Sequence, residues 1–297
     1  MPLGPSFPEL ASIDLFVSVV ELGSVSAAAK AHGVAQPSAS SRLKHLERQV
    51  GLRLLDRSPT GTIPTDAGVV FAGWAEQILR AAHELQAGLL AFRAEQSGRL
   101  RIAASFTIAE YLLPQWLGRF SREHPADSVA LEVANSATVI DRLRSGEADL
   151  GFVETPSRLE DLATEVVEHD ELVAVVAPDH PWASVGVVPV EALVATPLVT
   201  REAGSGTREA LESALAARGL PAPPAVLELG STSAVRSAVL LGNSPTVISR
   251  LAVADELASG ALVEVAVADL SISRELRAAW PETHPLPPLA TDLISML

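Results

Sequence analysis

The 297-residue sequence predicts a chain in three parts: an all-α N-terminal module with a hairpin wing, one long helix, and a C-terminal α/β region of two similar lobes. Three observations predict it. Residues 23–68 read as a small-residue helix, a tight turn, a second helix opened by proline and a small basic hairpin. A large apolar residue recurs at every seventh position within residues 66–93. From Arg99 onward, short apolar runs alternate with helical patterns, the order of βαβ units.

Ser24 or Ser26 can cap the small-residue helix, and Ala27-Ala28-Ala29 permits close packing against a neighbour. Gly33 has the backbone freedom that a helix end needs, and Val34 plugs the turn. Pro37 suits the first turn of the next helix, where its missing N–H costs nothing. Leu43, Leu46 and Val50 recur at helical spacing and face inward, leaving Gln36, Ser38, Ser41, Arg42, His45 and Arg48 toward solvent. Together with Pro37 and Lys44 of the same helix, and Arg57 beside the hairpin Pro59-Thr60-Gly61, these are the candidate DNA contacts. A helix offering Gln, Ser and Arg from its first turns suits the donor and acceptor pattern of a major groove.

This segment resembles the winged helix-turn-helix of LysR-type transcriptional regulators. In that family a small-residue helix precedes a Gln-Pro-opened recognition helix, then a Leu-Glu pair, a Gly, an aromatic-x-Arg and a Thr-x-x-Gly. The corresponding residues here are Gln36-Pro37, Leu46-Glu47, Gly51, Asp56-Arg57 and Thr65-Asp66-Ala67-Gly68. Four positions depart from the pattern: Ala35 for Ser, Ser41 for Arg, Leu55 for Phe and Pro64 for Leu. With Ser41 lacking a charge, the neighbouring Arg42 is the natural basic contact. The resemblance implies a bacterial regulator of transcription with double-stranded operator or promoter DNA as partner. It also implies a homodimer, two dimers joining as a homotetramer, and room for contact with RNA polymerase.

Net charge is −14, which at first argues against a nucleic-acid partner. The distribution answers this. Residues 1–65 carry +1, residues 34–57 hold five basic against two acidic side chains, and the remainder carries −15. DNA contact is thereby confined to one small positive face. No apolar run is long enough to span a bilayer, and Met1-Pro2-Leu3-Gly4-Pro5 lacks the pattern of a secretory leader. A cytoplasmic protein without membrane contact is expected. With no cysteine, disulfides, thiolate metal sites and thiol redox switches are excluded.

The long helix is expected from Asp66, capped by Thr65, to about Arg93. Phe71, Ile78, Leu85 and Phe92 repeat every seven residues, with Trp74, Ala81 and Gly88 between them. Such a seam wants a partner helix, although packing on its own domain remains the alternative. The resemblance favours dimerisation through Phe71, Trp74, Ile78, Ala81, Leu85 and Phe92. Gln96-Ser97-Gly98 then reads as a hinge. The division is residues 1–65, 66–97 and 98–297, the last split into lobe I (98–176 and 272–297) and lobe II (177–271). Two Rossmann-like lobes crossed twice by the chain resemble the periplasmic solute-binding fold, the effector domain of LysR-type proteins.

In such folds a ligand sits where strand ends meet helix N-termini. Ser105 and Thr107 follow the first strand of lobe I, and Glu154-Thr155 follow its third. In lobe II, Arg201-Glu202-Ala203-Gly204-Ser205-Gly206-Thr207-Arg208 and the stretch around Thr232 hold the matching junctions. Arg201, Ser205, Gly206 and Thr207 suit a small anion, because glycines bare backbone N–H groups at a helix N-terminus. Ordinary turns with capping hydroxyls are the competing reading. The string is similar to the branch of the family that governs carbon dioxide fixation and sulfur assimilation. Nothing points to an enzyme: Ser41-Arg42-Leu43-Lys44 lies on the recognition helix, and His83, His169 and His180 lack metal-ligand spacing. No cofactor or metal is expected. The alternative function is a solute-binding or transport-related protein with a helical N-terminal domain.

Overall fold

Gly51 and Thr65 bracket the corner on which the N-terminal part turns. Before it stand α1 (Leu10–Leu22), α2 (Val25–Ala31) and α3 (Gln36–Val50); the wing follows as β1 (Leu55–Ser58) and β2 (Gly61–Pro64), then α4 (Asp66–Ser97). The computed structural model describes residues 7–58, 61–97, 99–242, 244–283 and 285–297, without the side chains of 57–58, 83–84 and 86–97. Two compact units divide at Leu85 and Gln86.

In the first unit Ser24 caps α2, accepting from Ala27 N at 3.3 Å, and fully buried Ala28 lets the helices approach closely. Helix α3 starts at Gln36 with Pro37 in its first turn and ends on Gly51 at φ +75°. Ala39, Leu43 and Leu46 face the core, with Val50 packed at its edge. The family-like pairs have structural causes. Glu47 Oε1 accepts from Leu54 N (2.8 Å) and Leu55 N (3.1 Å), fastening the chain that leads into the wing. Thr65 Oγ1 donates to Arg53 O (2.8 Å) and accepts from Gly68 N (3.0 Å), so it caps α4 and ties it to the same segment. The helix runs to Ser97, past the expected stop at Arg93 and through two residues of the expected hinge; Gly98 lies outside the described residues.

The second unit opens with β3 (Arg99–Ser105), α5 (Phe106–Tyr111), α6 (Leu113–Glu123), β4 (Ser128–Ala134), α7 (Ser136–Arg144) and β5 (Leu150–Val153). A long strand β6 (Leu162–Val176) leads to α8 (Pro181–Val185), β7 (Val187–Val188), α9 (Val190–Ala195), β8 (Leu198–Arg201), α10 (Gly206–Ala216), β9 (Ala225–Leu229), α11 (Thr232–Leu241) and β10 (Thr246–Ser249). After α12 (Ala254–Ser259) and β11 (Val263–Val267), strand β12 (Ile272–Pro281) and α13 (Pro288–Ser295) end the chain.

Strands β4, β3 and β5 are parallel, as the alternation predicts, but β12 pairs antiparallel with both β5 and β6. The sheet is therefore mixed. Strand β6 begins ten residues earlier than the apolar run Leu172–Ala177 suggests, and Leu172–Val176 pairs with β10 and β11. That stretch, assigned to lobe I from the sequence, shares its ladder with lobe II strands. Both crossings between lobes are thus made by strands, and the junctions at the ends of β3, β4, β5 and β8 come to face one another. Among the described residues no helix is long and apolar enough to cross a membrane.

Candidate functional site

On α3, Gln36, Pro37, Ser38, Ser41, Lys44, His45 and Arg48 are exposed, while Arg42 is half-buried at the flank. Ser41, Lys44, His45 and Arg48 follow i, i+3, i+4, i+7 spacing and so share one face. Arg48 Nε donates to Lys44 O at 3.3 Å, and Arg53 pairs with Asp56. The Arg57 side chain, Pro59 and Thr60 lie outside the described residues.

The seven-residue seam of α4 is divided rather than continuous. Phe71 meets the Phe16 ring edge-on, centroids 5.2 Å apart, and Ile78 packs on the same N-terminal core. These two pack on their own domain, as the alternative reading of the seam has it, and each stays half-exposed. Trp74 (62 % exposed), Leu85 (67 %) and Ala81 point outward with Val70, while the Phe92 side chain is outside the described residues. Ala72 and Ala75 are buried on the inner face, so the helix packs inward through a different stripe from the one it exposes.

The effector-site candidates meet between the two lobes. Ser105, Thr107, Glu154, Thr155, Arg201, Ser205, Thr207 and Thr232 are all at least 95 % buried. Arg274, which sequence reasoning missed, sits at their centre: Nη1 donates to Thr207 Oγ1 (3.0 Å) and Nη2 to Thr107 Oγ1 (3.3 Å), one threonine from each lobe. Its Nε and Nη2 also donate to Asp170 Oδ2 at 2.9 and 2.7 Å. Ser249 Oγ holds the other Asp170 oxygen at 2.9 Å. Thr207 Oγ1 donates in turn to Glu154 Oε1 (3.4 Å), and Glu154 Oε2 lies 3.2 Å from Arg274 Nη2.

Gly206 is needed for proximity rather than for bare N–H groups alone. A Cβ there would lie 2.7 Å from Glu154 Cγ, 2.8 Å from the Glu154 carbonyl carbon and 2.8 Å from Ser136 Oγ. Gly204 turns the chain at φ +85°, and its carbonyl accepts from Ala137 N (3.1 Å), so the lobe II loop lies directly on the start of α7. Thr155 Oγ1 donates to Glu209 Oε2 at 2.5 Å, again across the lobes.

Arg201 is less free than its charge suggested. Nε and Nη2 donate to the Glu202 carboxylate at 2.8 and 2.9 Å, Nη1 donates to Thr232 Oγ1 at 3.0 Å, and the guanidinium lies 4.7 Å over the Phe106 ring. Burial alone would raise the Glu202 carboxyl, but hydrogen bonds and charge from Arg201 hold it below the usual carboxylate range. Arg208 pairs with Glu212 and Glu228, so it adds no free cation.

The hydroxyls separate ordinary turns from something else. Ser231 caps α11 through Ala234 N, and Asn135 caps α7 through Thr138 N. Ser105 and Ser205 hold the same N-cap positions on α5 and α10, yet neither side chain caps its helix. Both Oγ atoms are buried without a hydrogen-bond partner. The missed neighbours Asn135 and Ser136 lie at the strand-to-helix junction after β4, the same signal that marks the others. Arg274 and Asp170 lie in mid-strand and carry no such signal. Among the described residues no group of three or more His, Asp or Glu is placed to hold a metal ion.

Comparison with known proteins accounts for both units. Residues 10–69 match the bacterial regulatory helix-turn-helix protein, lysR family, and residues 93–297 the LysR substrate binding domain. The HTH-type transcriptional regulator Rv2282c of Mycobacterium tuberculosis (strain ATCC 25618 / H37Rv) is 43 % identical over 289 residues, 94 % of this chain and 93 % of its own. The CcmR regulatory domain of Synechocystis PCC6803, solved in complex with 2-PG, is 29 % identical with a TM-score of 0.60, covering 66 % of this chain and 94 % of that one. Full-length CbnR complexed with its target DNA shares the fold at 20 % identity and TM-score 0.53, covering 97 % and 98 % of the two chains. The chain belongs to the LysR family: it is a DNA-binding transcriptional regulator with a two-lobed effector-binding domain.

Proposed function

We propose that this regulator reads operator DNA with the exposed face of α3 and answers to a small anion held between its effector lobes. One observation carries the second half. Two N-cap serines facing from opposite lobes, Ser105 and Ser205, keep buried hydroxyls that bond to nothing in the protein, while Asn135 and Ser231 at analogous junctions cap their helices. Buried polar atoms are rarely left unpaired, and a ligand oxygen would satisfy both. The N-termini of α7, α10 and α11 add backbone donors, which favours an anion over a neutral ligand. That the related CcmR domain was solved with the small molecule 2-PG supports a ligand-binding role for the domain.

The test follows from those idle hydroxyls. The double variant Ser105→Ala/Ser205→Ala loses no internal hydrogen bond, so its stability should lie within about 1 kcal/mol of the parent, and its DNA affinity should be unchanged. A small oxyanion at a hundred times its dissociation constant should stabilise the parent by about 2.7 kcal/mol. It should leave the double variant unmoved. Equal stabilisation of both proteins in thermal melts would place the ligand elsewhere.

On DNA, the half-buried Arg42 is the proposed base contact and the exposed Lys44 a phosphate contact. Arg42→Ala should cost about 1–3 kcal/mol on the operator and relax base preference. Lys44→Ala should weaken specific and random DNA alike and flatten the salt dependence by about one counterion. Gel shifts on both DNAs decide it, since equal losses for Arg42→Ala would reduce that residue to a phosphate contact. The outward stripe of Val70, Trp74, Ala81 and Leu85 is the proposed dimer seam, in place of the one through Phe71 and Ile78.

A further inference from the structure

We propose that Glu154 makes the effector site selective for anions that carry a hydrogen-bond donor of their own, such as a hydroxyl, an ammonium or a retained acidic proton. The inference rests on the cleft being the effector site and narrows what enters it.

The two guanidiniums at the centre of the cleft are both compensated. Arg201 is paired with Glu202, and Arg274 faces two carboxylates, Asp170 and Glu154. In formal charge, one guanidinium meets two carboxylates at the centre of the site. Asp170 is fully engaged, with Arg274 on one oxygen and Ser249 on the other. Glu154 is not. It is 1 % exposed, its Oε1 accepts only the long contact from Thr207, and its Oε2 accepts no hydrogen bond although Arg274 Nη2 stands 3.2 Å away.

A carboxylate can only accept. Two kinds of group thus lie close together: the unpaired hydroxyls of the serines, and at Glu154 Oε2 an acceptor that takes no hydrogen bond and whose cation neighbour, Arg274, is shared with Asp170. Gly206 lies so close to Glu154 that a Cβ would stand 2.7 Å from its Cγ, which sets this carboxylate beside the loop that carries Ser205. An anion whose atoms are all acceptors would set lone pairs against Glu154 in a desolvated site, where like charges repel strongly. An anion bearing a donor turns the same contact into a charge-assisted hydrogen bond. Sites with buried polar groups of this kind reject analogues lacking the matching group far more sharply than apolar pockets do.

Matched probes test this on the full-length protein. Near neutral pH, inorganic phosphate retains a proton and sulfate retains none; glycolate carries a hydroxyl and acetate does not. Thermal shift and calorimetry at constant ionic strength should show phosphate and glycolate binding at least about a hundredfold more tightly than sulfate and acetate. Glu154→Gln, which offers an amide donor in place of one acceptor oxygen, should level or invert both ratios. Equal affinities within each pair for the wild-type protein would overturn the inference without recourse to any variant, and so would ratios unchanged in Glu154→Gln. The Ser105→Ala/Ser205→Ala protein separates the two claims. If it loses all four anions while wild-type shows no donor preference, the cleft stands and the role of Glu154 falls. If it binds them as wild-type does, or if none of the four binds wild-type, the cleft reading falls with it.

Discussion

Gly68→Ala should unfold the N-terminal domain and abolish operator binding, a large loss for one methyl group. A Cβ at this position would stand 2.1 Å from the Leu54 carbonyl oxygen and 3.1 Å from both Leu54 C and Pro64 Cβ. The obstructing atom is backbone, so no side-chain rotation relieves it. Nor can the segment retreat: Leu54 is fully buried, its N–H is held by Glu47, and its carbonyl oxygen accepts from Thr65 N at 2.9 Å. Overpacking against such a fixed neighbour costs about 3 kcal/mol or more, a large share of the stability of a small domain. In the full-length chain the transition of the first unit should move to lower temperature or vanish, while that of the effector domain stays. A Gly68→Ala protein that melts and binds DNA as the parent does would show that the corner is looser than these distances state.

Trp74→Glu combined with Leu85→Glu should turn the dimer into a monomer without harming either unit. Both side chains are more than 60 % exposed in the single chain, so neither contributes much to its own core. Burying one large apolar side chain is worth about 1.5–3 kcal/mol, and two-fold pairing counts each residue twice, so the dimer dissociation constant should rise by at least roughly four orders of magnitude. Operator affinity should fall with it, because each DNA-binding head loses the effective concentration supplied by its twin. Sedimentation velocity reads the outcome. A dimer that survives both charges would send the interface to another face.

Much of this is legible in the amino-acid sequence. Gln36-Pro37, Gly51 and Thr65-x-x-Gly68 mark local backbone events, a helix start, a left-handed exit and a cap beside a close approach, and local events leave local signatures. The strand-to-helix junctions of both lobes were legible for the same reason. What stayed hidden was non-local. Leu162–Glu171 carries five acidic or histidine side chains and does not look like a strand, yet Asp170 is matched by Arg274, 104 positions later on the neighbouring strand. The seam of α4 is divided for a different reason. Over four or five turns a 3.5-residue and a 3.6-residue repeat coincide, so periodicity gathered Phe71 with Leu85 although one faces Phe16 and the other faces solvent.

The pairing of β6 with β12 limits how the lobes can move. The ladder runs from Ile272 to Pro281 and slips once, between Leu276 and Arg277, where Val167 is the unmatched residue. Sliding one strand along the other would break every rung and turn each side chain to the wrong face. A ladder of this kind resists shear more than torsion, and its one irregular rung is the natural place for a twist. Arg274 lies two residues from that rung and bonds a threonine of each lobe, so it is one of the contacts that a twist of the lobes would strain. A ligand that draws Glu154 or either threonine away from this guanidinium would release a catch on the axis itself, and a small displacement there becomes a large angle at the lobe tips.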